Sequence, residues 1–432
     1  MSRNTRRAAA AAIALGIALA VSGCAGDGDA ASGGGSSDGK VTLTFWENAQ
    51  PGPGAEHWKA AVAEYQKLHP NVTINIQAIQ NEDLDGKLQT ALNSGSAPDI
   101  FLQRGGGKMQ AMVQAGQIQE LHLTDTDKAN AGAAALAGYS IDGKIYGMPV
   151  DTQPEGIYYS KDLFKQAGIA TPPTTMAELQ DAVAKLKAIN VEPIAVGAKD
   201  AWPAAHWYYN FALRECSQDA MNKAAQTLKF TDPCWTKAGE DLASFIKVEP
   251  FQKGFLTTSA QQGAGSSAGM IANHKAGMEL MGNWDPGVIG SLTADQKPLP
   301  DLGWFPFPAV PGGQGDPAAI MGGLDGFSLS KKAPKEALGF LQFLVTSEEQ
   351  KAYSKAFFTI PVNKEAQSVV TDDYNVSALQ AFNKAPYSMM FLDTLYGQNV
   401  GNAMNTSVVN LFAGKGSAAD IAKDTNAAAA KG

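Results

Sequence analysis

Apolar and polar residues first fall into a readable rhythm at Val41-Thr42-Leu43-Thr44-Phe45-Trp46, where Val41, Leu43 and Phe45 alternate with their neighbours as in a half-buried strand. After a Pro/Gly loop, Trp58, Ala61, Val62, Tyr65 and Leu68 recur at helical spacing, and His69-Pro70-Asn71 ends that helix. Val72, Ile74, Ile76 and Ala78 then alternate again, giving strand, helix and strand between Val41 and Ala78, the signature of a parallel βαβ unit. A helix near Leu84 to Leu92 leads through Gly95-Ser96-Ala97-Pro98 into a strand over Asp99 to Gln103. A second α/β region opens after Asp151. Gly156-Ile157-Tyr158-Tyr159 reads as a strand, Lys161 to Ala167 as a short helix and Pro193 to Val196 as another strand. Between them Thr175 and Glu178 form a capping box, followed by the apolar stripe Met176, Leu179, Val183 and Leu186. The stretch around Pro203, with Trp202, His206, Trp207 and Tyr208, reads as a loop, and Ala337 to Phe358 as mostly helical. No internal repeat and no heptad array occurs.

The residues before the first strand read differently. Arg3, Arg6 and Arg7 precede an apolar run from Ala8 to Val21, which suits a signal-peptide core and is short for a bilayer span. The run ends in Val21-Ser22-Gly23-Cys24, which resembles the lipobox of bacterial lipoproteins. The expectation is a signal peptide over residues 1–23, with Cys24 the lipidated first mature residue, held at the extracytoplasmic face of the cell membrane. Ala25 to Gly39 holds only small and acidic residues, too little apolar surface to offset ordering entropy, and reads as a flexible tether.

The remainder, from Lys40 on, is too long for one core and fits two domains. The whole chain carries 34 basic and 42 acidic residues, and loss of the three leader arginines would make the balance more acidic still. Such a surface argues against nucleic acid and against an electrostatic hold on anionic lipid. Of three cysteines, Cys216 and Cys234 remain as an even pair in an oxidising compartment, which favours a local disulfide over two buried thiols. No Gly-rich nucleotide motif follows the first strand, and five scattered histidines have no metal-ligand spacing, so no cofactor and no metal is expected.

The order of segments carries more. Phe45-Trp46-Glu47 ends the first strand, and Tyr65-Gln66-Lys67-Leu68-His69-Pro70-Asn71-Val72 follows its helix. Then come Ser96-Ala97-Pro98-Asp99-Ile100, Asp142-Gly143-Lys144-Ile145-Tyr146-Gly147-Met148-Pro149 and Ile157-Tyr158-Tyr159-Ser160-Lys161-Asp162-Leu163-Phe164. Met278-Glu279-Leu280-Met281-Gly282-Asn283-Trp284, the stretch from Gly322-Gly323 to Ser330 and Ser347-Glu348-Glu349-Gln350 complete the succession. In this order, behind a lipobox, it resembles family 1 of the extracellular solute-binding proteins, the carbohydrate receptors of ABC importers, from about Lys40 to Asp420. A narrower likeness is to actinobacterial lipoproteins that capture xylo- or cello-oligosaccharides. The resemblance implies an α/β fold of two discontinuous lobes joined by hinge crossovers, the type II periplasmic-binding-protein arrangement. Residues 40–150 with about 326–374 would form one lobe, and 151–325 with about 375–425 the other. It further implies a monomer that closes on an oligosaccharide and serves membrane permease subunits.

A sugar asks for planar polar side chains on its hydroxyls and an aromatic plate on its C–H faces. Trp284 leaves the apolar run Met278 to Met281, where the family places a stacking Trp. Trp46, Glu47 and Asn48 end a strand, and carboxyl ends of parallel strands face the crevice of an open α/β sheet. Gln103 and Arg104 precede Gly105-Gly106-Gly107, Asp151 and Gln153 lie on the presumed first crossover, and Asp325 on the second. Trp202 and Trp207, with His206 and Tyr208, supply further aromatic candidates, and Asp393 and Tyr396 a weaker pair. Three other classes compete: an enzyme, a receptor for another solute such as iron, phosphate or amino acids, and a structural surface protein, the last disfavoured because no repeat or low-complexity stalk extends beyond residue 39. A glycosidase needs two carboxylates flanking one bond, and the abundant acids leave that open, but no Gly-x-Ser-x-Gly elbow occurs. A receptor for iron would use paired tyrosines, yet adjacent residues such as Tyr158 and Tyr159 point to opposite faces of a strand.

Overall fold

The computed structural model describes residues 39–49 and 51–431, so the leader, Cys24 and the tether up to residue 38 lie outside the described residues. The βαβ unit forms as its alternation demands. Val41–Glu47 pairs in parallel with Val72–Ala78, Val41 opposite Val72 and Glu47 opposite Ala78, with helix Pro53–Leu68 between them. Leu43 and Phe45 point inward, and Trp58, Phe327 and Phe340 meet the Phe45 ring edge-on at 5.2, 4.9 and 5.5 Å. Ile100–Gln103 joins in parallel on the other side, then Gly326–Leu329 and Met148–Pro149 complete a five-stranded sheet.

A second, four-stranded sheet runs Leu302–Phe305, Gly156–Ser160, Ala276–Met281, Glu192–Ala195. Gly156–Ser160 is antiparallel to both neighbours. Helix Met176–Ala188 opens with the Thr175–Glu178 capping box and buries Leu179, Val183 and Leu186. One expected loop is a helix instead: Trp202–Glu215 is continuous, with Pro203 in its first turn, where a missing N–H costs nothing. It is buried on every side, so no polar stripe betrays its period. The Cys216–Cys234 disulfide is formed, joining the end of that helix to helix Pro233–Ile246 with Cα atoms 5.0 Å apart.

A third sheet, ordered Ile360–Pro361, Asp151–Pro154, Ile320–Gly323, Ser388–Met390, connects the other two. Asp151–Pro154 leads from the first sheet to the second, and Ile320–Gly323 leads back, with Gly322 opposite Pro154 and Gly323 opposite Gln153. A Cβ on Gly322 would stand 2.7 Å from the Gln153 carbonyl oxygen, so only glycine lets the two crossovers lie this close. The chain crosses again through Ile360–Pro361 to helix Asp373–Lys384, which packs on Leu302–Phe305. The result is two α/β lobes, each with its own sheet, linked by adjacent crossover strands. No helix among the described residues is long and apolar enough to cross a membrane.

Candidate ligand-binding cleft

Where the crossover strands meet the strand ends of both lobes, a cleft of about 730 Å³ opens. Its floor is a polar network. The Asp151 carboxylate accepts from the Asp325 N–H (3.0 Å), the Tyr353 hydroxyl (3.1 Å) and the Gln153 amide (3.2 Å). Burial, and then the nearby Asp325 charge, push its carboxyl up to about 8. Asp325 in turn accepts from Arg104 Nε at 3.0 Å, and Arg104 Nη2 donates to Asn81 Oδ1 at 2.8 Å. The buried Tyr139 hydroxyl ties the same corner, donating to the Gln103 carbonyl oxygen at 2.7 Å and to that of Leu324 at 3.1 Å. Arg104 thus binds the end of a first-lobe strand to the second crossover.

The first-lobe wall continues with Glu47 and Asn48 at a strand end and with Asn81 and Asp85 in the opening turns of helix Asn81–Ser94. Burial raises the Glu47 carboxyl to about 7, against the opposing hydrogen bond from the Ala49 N–H. Asp85 accepts from Lys108 Nζ at 2.6 Å. Burial alone would raise the Asp85 carboxyl, but Lys108 and Arg104 outweigh it and hold it below its ordinary value.

The second-lobe wall is aromatic. Trp284 follows strand Ala276–Met281 directly and is steadied by its neighbour Asn283, which donates to Asn375 Oδ1 (2.6 Å) and the Tyr158 hydroxyl (3.2 Å) and accepts from the Ile360 N–H (2.9 Å). A Cβ on Gly282 would fall 2.0 Å from the Trp284 ring, so the indole can fold back only over glycine. The Trp284 ring meets Phe391 at 5.8 Å and Trp202 at 6.0 Å, both edge-on. His206 stacks on Phe391 at 4.4 Å, its Nδ1 held by the Glu155 carboxylate. At the mouth, Gln262 reaches from the second lobe to the first, its amide donating to Gln80 (3.2 Å) and Glu82 (3.3 Å), while Gln261 lines the cleft.

Of the residues singled out in the sequence, Glu47, Asn48, Arg104, Asp151, Gln153, Trp202, His206, Trp284, Asp325 and Asp393 line this cleft. Three do not. Trp207 is on the inner side of its helix, fully buried and stacked 5.3 Å from Phe245. Trp46 faces the opposite side of its strand from Glu47, as the two-residue period requires, and packs half-buried against the first-lobe core. Gln103 is spent locally: its side-chain oxygen accepts the N–H groups of Arg104 (2.8 Å) and Gly105 (3.1 Å), fixing the turn. Tyr396 is likewise core, edge-on to Phe230 at 4.8 Å. Asn81, Asp85, Lys108, Tyr353 and Phe391 line the cleft without having been singled out. Asn81 and Asp85 had a usable signal, since they open a helix that follows a strand end pointing at the crevice. Phe391 had none.

The bacterial extracellular solute-binding protein model matches residues 49–351. The chain is 24% identical to the multiple sugar-binding protein of Streptococcus mutans, covering 82% of this chain and 81% of that one. It is 23% identical to the melibiose/raffinose/stachyose-binding protein of Bacillus subtilis, covering 78% of each. Among solved structures, one from work on xylan utilization by the thermophilic bacterium Caldanaerobius polysaccharolyticus superposes with a TM-score of 0.81 at 26% identity, covering 89% of this chain and 99% of that one. A chitin oligosaccharide binding protein shares the fold at a TM-score of 0.80 and 23% identity, covering 91% and 98%. With the family model spanning most of the sequence and the two-lobed fold in agreement, the chain belongs to the bacterial extracellular solute-binding proteins.

Proposed function

We propose that this protein captures a short oligosaccharide in the interlobe cleft and hands it to the permease subunits of an ABC importer. The observation that carries the reading is the pairing of walls: Trp284, Trp202 and Phe391 on one side, and Glu47, Asn48, Asn81, Arg104 and Asp325 on the other. Aromatic rings present flat apolar faces to sugar C–H groups, while carboxylates, amides and guanidinium groups satisfy hydroxyls in pairs. The cleft volume falls within the roughly 300–1,000 Å³ of sites that enclose ligands of several rings. Ligand bridging the walls contacts both lobes only when they are together, so binding favours the closed arrangement through differential affinity.

Within that reading the ligand is a xylo- or cello-oligosaccharide, and Glu47, Asn48, Arg104, Asp151, Gln153, Trp202, Trp284 and Asp325 serve it. Residues 40–150 with about 326–374 move as one lobe, and 151–325 with about 375–425 as the other. The protein acts as a monomer, tethered through a lipid on Cys24. Isothermal titration with xylo-, cello-, malto- and chito-oligosaccharides tests the ligand class. Saturable binding of a β-linked series supports it, and no heat with any sugar refutes it. Mass spectrometry of protein from membranes tests the anchor, which predicts an acylated Cys24 at the mature N-terminus.

A further inference from the structure

The cleft carries a charge imbalance. Among the described residues lining it are seven acids, Glu47, Glu82, Asp85, Asp151, Asp200, Asp325 and Asp393, against three cations, Arg104, Lys108 and Lys199. Two of those cations are already committed. Arg104 is paired with Asp325 at 3.0 Å and Lys108 with Asp85 at 2.6 Å. The third, Lys199, is exposed beside Asp200 at the second-lobe edge, where water screens it. His206 is bound to Glu155. Among the described lining residues, an incoming carboxylate therefore finds Lys199, exposed at the edge, as the one cation outside a salt bridge, and several carboxylates that would face it in a partly dehydrated space.

We infer that the cleft discriminates by charge: it accepts an uncharged oligosaccharide and rejects the same chain bearing a uronic acid, with the Asp85–Lys108 and Arg104–Asp325 pairs withholding the cations that would otherwise receive it. This rests on the sugar-binding reading and narrows it. The imbalance survives protonation of the three acids whose carboxyls burial raises, Glu47, Asp151 and Asp200, because the other four still outnumber three cations. Rejection here is built from repulsion and from occupied partners rather than from shape, which is how a site tells apart two ligands of nearly equal size.

The test is titration with matched probes: glucuronosyl-xylotriose against its neutral methyl ester, and cellotriose against its singly oxidised uronic acid form, at pH 7.5 and at low and high salt. The expected result is that each acidic probe binds at least roughly 30-fold more weakly than its neutral match, and that salt narrows the gap by screening the repulsion. Asp85→Asn releases Lys108 and narrows the gap by roughly tenfold, mostly by strengthening the acidic probe. Its circular dichroism melt verifies that it is folded, and Lys108→Met in the same background removes the gain. Equal binding of a matched pair, or acidic binding that salt weakens, overturns the inference while leaving sugar binding intact. Failure of both neutral and acidic probes overturns the xylo- or cello-oligosaccharide reading and this inference together, whereas the wider sugar panel decides the ligand class.

Discussion

Replacing Asp151 with asparagine should flatten the pH dependence of stability. The Asp151 side chain is 1% exposed, and its oxygens meet only the Asp325 N–H, Tyr353 and Gln153. Burial is the larger cause of its raised carboxyl and the Asp325 charge the second, which together move it from 3.8 to about 8. The sign follows from proton counts. Below pH ~4 both folded and unfolded chains hold the proton, and Asp151 adds no pH dependence. Between pH ~4 and ~8 the unfolded chain has lost it and the folded chain keeps it, so stability falls as pH rises, by at most about 1.4 kcal/mol per unit. Above ~8 the loss is complete. From pH 6 to 8 the Asp151 share is thus at most about 2.7 kcal/mol. Glu47, raised to about 7, and the buried Asp285 beside Glu279, raised to about 8, push in the same direction, so the difference between wild type and variant isolates Asp151. Asparagine keeps the shape of the protonated acid, its oxygen accepting from the Asp325 N–H and its amide donating to the Tyr353 hydroxyl oxygen, with the Gln153 amide turned to present its oxygen rather than its N–H. Urea unfolding at pH 6, 7 and 8 gives the measurement. Wild type should lose stability across this range and Asp151→Asn should lose less, so the stability of the variant relative to wild type should rise from pH 6 to pH 8. Parallel pH slopes for the two proteins would refute the reasoning, because Asp151 would then be ionised in the folded state throughout.

The other expectations are simpler. Trp284→Ala should weaken binding of whichever oligosaccharide is recognised by roughly 30-fold or more, since a central aromatic in a binding site contributes about 2 kcal/mol or above, with the melting temperature little changed. Trp207→Ala should do the reverse, costing about 3–5 kcal/mol of stability by emptying a core position; a binding defect without destabilisation would restore Trp207 to the site. Gln262→Ala removes the amide that spans the mouth to Gln80 and Glu82, so small-angle scattering should show a more open unliganded form, with affinity lower by roughly three- to tenfold. Cys216→Ser with Cys234→Ser opens a loop of sequence separation 18 and should cost about 2–4 kcal/mol, read as a lower urea midpoint that dithiothreitol reproduces in the wild type.

What the sequence disclosed and what it hid divide along a physical line. Alternation and helical stripes are signatures of half-buried elements, so the βαβ unit from Val41 to Ala78 and the capped helix at Met176–Ala188 were both legible. Helix Trp202–Glu215 is buried all round, so its pattern has no polar phase, and Pro203 read as a breaker when it sits in a first turn that tolerates it. Strand parity explains the split between adjacent candidates: Glu47 reaches the cleft because Phe45 faces the core two residues earlier, which sends Trp46 to the opposite side. Gln103 could not be told from Arg104 without the turn that consumes its side chain, and Asp85, Tyr353 and Phe391 reach the cleft from segments far apart in the chain. The most informative residues are those where the two kinds of reading meet. Asp151 was singled out as a crossover acid, and the crossover is what confines it, because it sits almost fully buried among Gln153 of its own strand, Tyr353 and the Asp325 backbone. An acid on that strand must either ionise at a cost or keep its proton, and the same packing that joins the two lobes sets that choice.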